Sequence, residues 1–416
     1  MTSMKSSTTD FVVIGAGPAG MMAAITAARR GIKVLVFDPN PRVGKKLRIT
    51  GKGRCNVTND CQPRELLENV RTNARFFKSA LYAFPPASVM EFFEAEGVPL
   101  KTERGNRVFP VSDNANDIAD TLARAADRTG VRFVHERVRE ILTENGAVSG
   151  VRTDRRSYSA AAVAVCTGGL SYPATGSTGD GYALARKAGH TVREPYASLV
   201  PWEGEPVCER MQGLSLRNVT LSLYEGDRRL FQELGEMLFT HFGVSGPLML
   251  SASTYMRPDG KDYRLLIDLK PALTPEKLDE RLLRDFAENA NRDFINALDA
   301  LLPKKLISLI VERSGIPERT KVNAITRVQR LRLRDLIKAF PIELTRPRPI
   351  AEAIVTAGGV DVSEVQPRTM ESRLLPGLYF AGEILDLDAR TGGFNLQIAW
   401  STGYVAGNSV PIKENQ

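Results

Sequence analysis

The feature that most constrains this chain is a glycine-rich turn between an apolar run and a small-residue helical segment near the N-terminus. Residues 11–14 (Phe-Val-Val-Ile) lead into Gly15-Ala-Gly17-Pro-Ala-Gly20, and a helix is expected over residues 21–29. In this pattern the first glycine permits a tight turn, the second lets the backbone approach a pyrophosphate, and the third lets helix and strand pack closely. The helix N-terminus adds free N–H groups and a positive dipole end. The pattern therefore predicts a dinucleotide site on Gly15, Ala16, Gly17, Pro18, Ala19 and Gly20.

An acidic residue follows at the distance that a ribose contact requires. A second apolar run, residues 32–37, ends at Asp38, which lies 18 residues after Gly20. A carboxylate at this point accepts hydrogen bonds from ribose hydroxyls and disfavours a 2′-phosphate. The segment therefore predicts FAD or NAD rather than NADP. The alternative is a glycine-rich turn that only packs.

Two polar, glycine-rich loops favour FAD over NAD. Residues 44–59 combine glycines with hydroxyl, amide and cationic side chains, so this loop can present N–H groups and positive charge to a polyanion. A buried strand is expected over residues 162–166, and it runs into the loop at residues 167–181. Long irregular loops inside compact domains are usually functional. Both loops are therefore expected beside the cofactor.

A third segment near the C-terminus predicts a second helix end in the same domain. A strand over residues 377–382 is followed by Glu383, and Gly392-Gly-Phe-Asn-Leu-Gln397 opens a helix that reaches about residue 406. In a flavoprotein such a helix N-terminus would face the N1/C2=O edge of the flavin ring, where it stabilises negative charge by about 0.3–1 kcal/mol. The cofactor would then be held by segments from both ends of the sequence.

Composition and charge exclude several classes of protein. No apolar stretch reaches the roughly 18 residues of a membrane helix, and residues 1–10 are polar without an apolar signal region. A cytoplasmic protein without a membrane partner is therefore expected. The four cysteines form no C-x-x-C pair, and with three histidines no metal site is expected. Residues 301–350 hold twelve Lys/Arg and four Asp/Glu, a net charge of +8. The whole chain also has a net charge of +8, so the rest of the sequence is balanced. This basic stretch is interpreted as a solvated helical surface, with nucleic-acid binding as the alternative.

Motifs along nearly the whole chain resemble one family, the FAD-dependent oxidoreductases that include the aminoacetone oxidases and the BaiN-like flavoproteins. The matching segments are residues 44–59, 107–113 (Arg-Val-Phe-Pro-Val-Ser-Asp), 171–182 (Ser-Tyr-Pro-Ala-Thr-Gly-Ser-Thr-Gly-Asp-Gly-Tyr), 238–247 (Leu-Phe-Thr-His-Phe-Gly-Val-Ser-Gly-Pro), 377–386 (Gly-Leu-Tyr-Phe-Ala-Gly-Glu-Ile-Leu-Asp) and 391–395 (Thr-Gly-Gly-Phe-Asn). The chain departs from the family pattern at Lys52, where Gly or Ser is more usual, and at Ala389-Arg390, where aromatic residues or Gly are common. The first departure bears on loop conformation and the second on the rim of the pocket.

The resemblance implies an α/β fold. It consists of a discontinuous, glutathione-reductase-like FAD-binding Rossmann domain with an inserted small β-barrel and helical bundle. Strand patterns at residues 219–223 and 264–269, a helix-rich run at 275–339 and renewed strand pattern after residue 351 agree with such an insert. The expected domains are residues 1–193 and 346–416 for the FAD domain, 194–273 for the barrel and 274–345 for the helices.

The resemblance also extends the set of cofactor-binding residues beyond the first turn. Lys46 and Arg54 are expected near phosphate, ribityl or flavin, with an exposed charge as the alternative for Lys46. The backbone at Val138 is expected to contact adenine, although its side chain could simply belong to the core. The whole set beyond the turn is Asp38, Lys46, Thr50, Gly51, Arg54, Cys55, Asn56, Val138, Thr167, Gly168, Gly382, Glu383, Gly393, Phe394, Asn395 and Leu396.

Three functional hypotheses remain at this point. The first is an oxidoreductase that moves hydride between a small organic substrate and the flavin, with O2 or NAD(P)H completing the cycle. The second is an RNA-modifying flavoenzyme that uses the basic helical insert, which the family motifs disfavour. The third is a non-catalytic flavin-binding redox module. His241 and Tyr172 lie in motif loops but are more simply explained as structural, so no catalytic acid or base is named, and the oligomeric state stays open.

Overall fold

A computed structural model describes residues 9–412 of the 416-residue chain. They form two compact units. The first unit combines the described parts of Met1–Ser198 and Pro349–Gln416, and the second unit is Leu199–Arg348. Most of the N-terminal segment that was expected to lack a targeting signal, residues 1–8, lies outside the described residues. Strands and helices are numbered in chain order along the whole chain.

A largely parallel sheet forms the centre of the first unit. Its parallel strands run in the order β6-β2-β1-β9-β18, and the hairpin β7-β8 joins β9 in antiparallel orientation. The strands are short apolar runs, and parallel strands of this kind are covered on both faces, which is why β2 and β18 are buried at every position. These strands are β1 Thr9–Ile14, β2 Val34–Phe37, β6 Arg132–Val134, β7 Val138–Glu144, β8 Ala147–Thr153, β9 Ser157–Val165 and β18 Leu378–Phe380.

Seven α-helices and two small antiparallel sheets complete the described part of the first unit. The helices are α1 Pro18–Arg29, α2 Pro63–Asn69, α3 Ala74–Ala83, α4 Pro86–Ala95, α5 Ala115–Arg128, α6 Asp180–Lys187 and α12 Phe394–Ser409. One small sheet has the order β3-β5-β4 and the other pairs β10 with β17. Their strands are β3 Thr58–Asn59, β4 Leu100–Glu103, β5 Arg107–Pro110, β10 Val192–Ser198 and β17 Val355–Val360.

The second unit contains a closed six-stranded barrel in the order β11-β14-β13-β12-β15-β16. Its strands are β11 Trp202–Gly204, β12 Ser215–Glu225, β13 Arg228–Thr240, β14 Gly243–Ser245, β15 Tyr263–Asp268 and β16 Phe340–Pro347. Its helices are α7 Val207–Arg210, α8 Pro247–Ser253, α9 Pro275–Glu288, α10 Lys304–Ser314 and α11 Arg327–Lys338. Side-chain caps begin two of them: Thr274 accepts from the backbone of Lys277, and Thr326 forms a capping box with Gln329.

The predicted fold class is confirmed: the chain is α/β, with a Rossmann-type domain built from both ends of the sequence and a barrel with helices between them. The first helix begins at Pro18 rather than at residue 21, because Gly17 takes the N-cap position and proline is accommodated at the first helical position. The second unit runs from Leu199 to Arg348. Within residues 9–412, every helix is too short or too polar to cross a bilayer.

Candidate functional site

The three glycines of the first turn serve different purposes. A Cβ at Gly15, whose φ is +106°, would lie 2.5 Å from the carbonyl oxygen of Cys166, and a Cβ at Gly20 would overlap the Gly15 carbonyl oxygen. A Cβ at Gly17 would meet nothing within 4 Å. Packing therefore explains the first and third glycines but leaves the second unexplained. Open space at the N-terminus of α1 is what a phosphate-binding turn requires.

The Asp38 carboxylate holds this turn in place. The backbone N–H of Ala16 donates to Asp38 Oδ2 at 2.8 Å, and the backbone N–H and side-chain amide of Asn40 donate to Oδ1 at 2.8 and 2.9 Å. An ionised carboxylate offers about four acceptor sites, so these three bonds leave room for a hydroxyl group. Asp38 therefore links the glycine turn to the end of β2 and can still accept from a ribose.

A second helix N-terminus is positioned by a tight crossing of loops. Gly393, the N-cap of α12, has a φ of +95°, and a Cβ there would overlap the Thr58 carbonyl group. The amide of Asn59 donates to the Gly392 carbonyl oxygen at 3.0 Å. The Gln397 N–H donates to the Gly393 carbonyl at 3.0 Å. The first three N–H groups of a helix have no intrahelical acceptor, and here they belong to Phe394, Asn395 and Leu396.

Close packing of α12 on α1 fixes the two helix ends relative to each other. A Cβ at Gly403 would overlap the Ala19 carbonyl oxygen, and a Cβ at Gly407 would overlap that of Ala23. Matching contacts at 19/403 and 23/407 mean that the helices run in the same direction. Because α12 extends eight residues further toward its N-terminus, its positive end lies roughly 12 Å beyond that of α1. In FAD the pyrophosphate is followed by the ribityl chain and then by the flavin ring. A phosphate-type turn followed by a second positive helix end has the same order, with the turn at the pyrophosphate and the second helix end at the ring.

Buried polar atoms without a protein partner lie on the predicted loops. Asn56 Oδ1, Thr167 Oγ1 and the Tyr182 hydroxyl are buried and accept or donate no hydrogen bond. Native structures pair nearly all such atoms, and a bound ligand would supply the missing partners here, although Trp202 Nε1 in the second unit is buried without a partner as well. The first two belong to the predicted cofactor set. Together with the open space at Gly17, they show that the residues present fit a bound dinucleotide.

A hydrogen-bonded cluster connects the Lys46 loop to Glu383, which lies three residues after the end of β18. Lys46 Nζ lies 2.9 and 3.1 Å from the carboxylate oxygens of Glu383 and 2.6 Å from Ser171 Oγ. Glu383 also accepts from Ser171 Oγ at 3.1 Å and from the Thr356 N–H at 2.9 Å. The side chains of Lys46 and Glu383 are each 21% exposed. The structure therefore brings these two predicted residues together, and it adds Thr356 and Ser171, the first residue of the 171–182 motif, neither of which was in the predicted cofactor set.

Arg54 is held by carboxylates within its own region. Its guanidinium pairs with Glu103 and Asp113 and lies 4.1 Å from the centre of the Phe109 ring. Hydrogen bonding to Arg54 lowers the pKa of the Glu103 carboxyl below its usual range. The pKa of Asp113 is lowered as well, first by Lys101 and then by Arg54. Arg54 thus anchors the loop to β4 and β5.

The segment between Lys46 and Asn56 is a compact turn. Thr50 Oγ1 donates to the Leu47 carbonyl at 2.7 Å, and a Cβ at Gly51 would lie 3.1 Å from the Asn56 nitrogen. Cys55 is fully buried, and burial raises the pKa of its thiol to about 12, so it is a packing residue rather than a nucleophile. Lys52 takes a left-handed φ of 58°. Glycine adopts this conformation without strain, whereas it costs a residue with a Cβ, such as this lysine, some backbone strain.

The remaining predicted residues are distributed around the sheet. Val138 is buried at the start of β7, opposite Thr153. Gly168 has a φ of +71°. A Cβ on Gly382 would lie 2.7 Å from that of Ala19, so β18 ends against the first turn of α1.

The side chain of Asn395 has its own partners. It accepts from the Ala389 N–H at 2.9 Å and donates to the Ala389 carbonyl at 2.8 Å.

Of the two motif residues left without a role, Tyr172 lies in the first unit and is 37% exposed. His241 is exposed in the second unit, with its ring centre 5.0 Å from that of Phe242.

A family model described as the HI0933-like protein Rossmann domain matches residues 9–409. The chain belongs to this family. It is 30% identical over 407 residues to the 3-dehydro-bile acid delta(4,6)-reductase of Clostridium scindens, covering 95% of this chain and 98% of that protein. It is 31% identical over 407 residues to the ribosomal RNA dihydrouridine synthase of Haemophilus influenzae, covering 96% and 98%. Among solved structures, the 3-ketosteroid-delta4-(5alpha)-dehydrogenase of Rhodococcus jostii RHA1 matches with a TM-score of 0.52 and 16% identity, covering 98% of both chains.

The chain is therefore an FAD-dependent oxidoreductase of this HI0933-like family. FAD as the cofactor, which the sequence predicted, is confirmed at this level. The assignment of individual residues to parts of FAD stays a prediction. Within residues 9–412, no three His, Cys, Asp or Glu side chains are grouped so that they could hold a metal ion.

Sequence reasoning missed the Gly403/Gly407 contact and the Ser171/Thr356 pair. A Gly-x-x-x-Gly spacing in the last helix would have indicated the first of these. No local pattern marks Thr356, because its role depends on a contact with residues almost 200 positions away.

Proposed function

We propose that this oxidoreductase transfers hydride between FAD and a carbon–carbon double bond conjugated to a carbonyl in a small organic molecule. Bound FAD supplies a ring that accepts or donates hydride. In the reductive direction, NAD(P)H and a proton add two hydrogens across the double bond, and NAD(P)+ and the saturated carbonyl compound leave. In the opposite direction, the saturated compound loses two hydrogens to become the conjugated one, and O2 accepts them and leaves as H2O2.

The observation that carries this proposal is similarity along nearly the whole chain to two relatives whose names imply one chemistry. One is named as a delta(4,6)-reductase of a 3-dehydro-bile acid. The other is named as a synthase of dihydrouridine, the product of saturating a uracil double bond next to a carbonyl. A polarised double bond accepts hydride at the carbon remote from the carbonyl, so one flavin site can serve both.

The residues of the first unit support this chemistry by binding and by charge. The α1 N-terminus with Gly17 would receive phosphate, and Asp38 would accept from ribose. The N–H groups of Phe394, Asn395 and Leu396 would stabilise negative charge on the reduced cofactor by about 0.3–1 kcal/mol. Lys46 and Glu383 are held to one another and to Ser171, so a polar contact at this point would be rigid.

Electron supply by NAD(P)H would occur by direct approach to the flavin. The sequence contains one Gly-x-Gly-x-x-Gly turn, and the proposal assigns this turn to FAD. A second Rossmann domain for nicotinamide is therefore not part of the proposal. A transient encounter with the flavin is sufficient for hydride transfer.

RNA as the substrate is the second candidate, and the name of the Haemophilus influenzae relative favours testing it. The basic stretch gives it little support, because most of its cations meet carboxylates inside the second unit. These ion pairs are Arg313–Glu205, Lys321–Asp293, Arg330–Asp279, Arg334–Asp335, Lys338–Asp268, Arg346–Glu203 and Arg348–Glu203. Some of these cations, such as Arg346 and Lys321, are exposed, so a polyanion would have to compete with their carboxylate partners for them.

The test is anaerobic spectroscopy of the purified full-length protein. The oxidised protein should be yellow, and NADH or NADPH should bleach it. Adding a conjugated enone should restore the flavin absorbance and yield the saturated ketone. Bleached protein that is reoxidised by unmodified ribosomal RNA but by no small enone would favour the RNA candidate. Failure of every enone and of RNA to reoxidise the flavin, with rapid reoxidation by O2, would overturn the reductase proposal.

A further inference from the structure

We infer that the hydroxyl of Tyr182 binds the cofactor by a hydrogen bond to a hydroxyl of the ribityl chain of FAD, and that Thr167 contributes a second hydroxyl there. Tyr182 is outside the predicted cofactor set, and the proposed reaction gives it no role. The inference concerns the cofactor, which both directions of that reaction share, so it does not depend on the identity of the substrate.

The Tyr182 side chain is enclosed, and its polar atom has no partner. The residue is 3% exposed, and its hydroxyl oxygen is buried without a hydrogen bond. Burial, more than the neighbouring carboxylates, raises the pKa of this phenol above its usual range. The group therefore keeps its proton and is a hydrogen-bond donor. A buried donor without an acceptor carries its full desolvation cost, which an acceptor on a ligand would offset.

The fold places Tyr182 at the edge of the sheet where α/β proteins bind their ligands. It lies in the first turn of α6. A Cβ on the preceding Gly181 would lie 2.0 Å from Thr167 Oγ1 and 2.5 Å from Ile384 Cδ1, so this turn packs against both segments. Thr167 lies two residues after the end of β9, and Ile384 lies four residues after the end of its parallel neighbour β18. Ligands of such sheets bind outside the carboxyl ends of the strands.

A second buried hydroxyl without a partner lies beside the same helical turn. Thr167 Oγ1 is buried and forms no hydrogen bond, although it lies against the backbone of Gly181. Thr167 and Tyr182 therefore bring two unsatisfied hydroxyl groups to adjoining segments of the first unit. A hydroxyl on a ligand both donates and accepts, so a chain of hydroxyl groups can satisfy the two of them.

The charges around Tyr182 favour a neutral ligand group over a phosphate. After burial, the charges of Glu383 and Asp386 are the next causes that raise the pKa of this phenol, and Arg186 opposes them. Lys46 pairs with Glu383, so these four groups together carry no excess of positive charge. A phosphate needs such an excess or free N–H groups, and the turn before α1 supplies the latter. The ribityl chain is the uncharged, hydroxylated part of FAD.

The test compares FAD with its 2′-, 3′- and 4′-deoxyribityl analogues, each of which lacks one hydroxyl of the chain. FAD is removed from the full-length protein, each cofactor is titrated back, and flavin fluorescence gives Kd. The variants are Tyr182→Phe and Thr167→Val. The matched control is Tyr82→Phe, which removes the hydroxyl of a tyrosine of α3 that is 55% exposed. Urea unfolding of each apoprotein reports folding separately from cofactor binding.

We expect Tyr182→Phe to raise the Kd for FAD about tenfold, as the loss of one hydrogen bond implies, and Thr167→Val to raise it as well. One deoxy analogue should bind wild type and Tyr182→Phe with equal Kd, because the bond is already missing. The urea midpoint of the Tyr182→Phe apoprotein should not fall, because the hydroxyl that it loses has no partner. Tyr82→Phe should match wild type in every measurement.

Three results would overturn the inference. An unchanged Kd for FAD in Tyr182→Phe would mean that the hydroxyl meets an enclosed water or nothing. An undiminished loss with all three deoxy analogues would place its acceptor outside the ribityl chain. A lower urea midpoint of the apoprotein would show that the hydroxyl is bonded before FAD arrives. Failure of the enone experiment with these binding results intact would remove the proposed reaction and leave the role of Tyr182 standing.

Discussion

At the scale of single residues, substitutions at Gly17 and Gly20 are expected to have different effects, the first on cofactor binding and the second on folding. Gly17 has open space where a Cβ would lie, whereas Gly20 touches the Gly15 carbonyl. Gly17→Ala should change the free energy of unfolding of the apoprotein by less than about 1 kcal/mol. It should weaken FAD binding by roughly 100-fold, because the methyl group would occupy the space meant for phosphate. Urea unfolding and FAD titration would measure the two effects.

Gly20→Ala is the matched comparison, with the opposite pattern. Its methyl group must displace backbone, and such overpacking costs about 1–3 kcal/mol. The apoprotein should therefore be destabilised even without FAD. An alanine at residue 17 that binds FAD like wild type would show that the open space is not the phosphate site.

His190 gives the first unit a pH-dependent contribution to stability. Its side chain is buried against Phe380, between Glu364 and Ser372. Burial lowers the pKa of this imidazole, and Glu364 opposes the shift only in part. The unfolded state then binds a proton more readily than the folded state, so stability falls as the pH decreases through the ordinary histidine range.

The measurement is urea unfolding of wild type and His190→Gln at about pH 7.5 and about pH 5.5, on either side of the ordinary histidine pKa. Wild type should lose more unfolding free energy between the two conditions than the glutamine variant, which cannot titrate at this position. Equal losses in the two proteins would contradict the assignment.

At the scale of elements, the contact between α1 and α12 sets the distance between two positive helix ends. Gly403 and Gly407 lie against the carbonyl groups of Ala19 and Ala23. Gly403→Ala should destabilise the protein by about 1–3 kcal/mol, because the helices must move apart. FAD affinity should fall with it, because the α12 N-terminus would shift.

A substitution on the exposed side of the same helix is the control. Asn408→Ala should leave both unfolding and FAD affinity nearly unchanged, because this side chain is exposed. Chemical denaturation and flavin fluorescence would record both quantities. Retention of wild-type stability by Gly403→Ala would mean that the helices tolerate a wider spacing than their backbone contact implies.

At the scale of the whole molecule, one cofactor should stabilise two distant parts of the sequence together. Every predicted FAD residue belongs to the first unit, although residues 199–348 interrupt it in sequence. A ligand that binds only the folded state raises the free energy of unfolding by about 2.7 kcal/mol when its concentration is 100 times its Kd. Calorimetry with and without FAD should therefore show a stabilised transition in wild type and, at the same FAD concentration, a much smaller stabilisation in Gly17→Ala, about 0.4 kcal/mol for a 100-fold weaker Kd. A wild-type transition that ignores added FAD would contradict the proposed site.

Local sequence patterns determined much of this protein. A glycine turn, a helix that begins with proline and an acidic residue after a strand are all visible in a few neighbouring residues. The dinucleotide turn, Asp38, the second helix at residue 394 and FAD as the cofactor could therefore be predicted. The predicted helix boundaries differ from the observed ones by a few residues, because capping at Gly17 and Gly393 depends on backbone angles that the periodicity of the sequence does not reveal.

Contacts between remote segments were decided only by the tertiary structure. The pairing of Lys46 with Glu383, the packing of Gly403 on Ala19 and the hydrogen bond from the Arg390 N–H to the Asn69 carbonyl each join residues more than 300 positions apart. Sequence periodicity carries no information on these distances, because they arise when β18 is added beside β9 and α12 is laid along α1. The sequence thus predicted the cofactor and the turn that is expected to receive it, whereas packing of the two chain ends decided which side chains lie together near that turn.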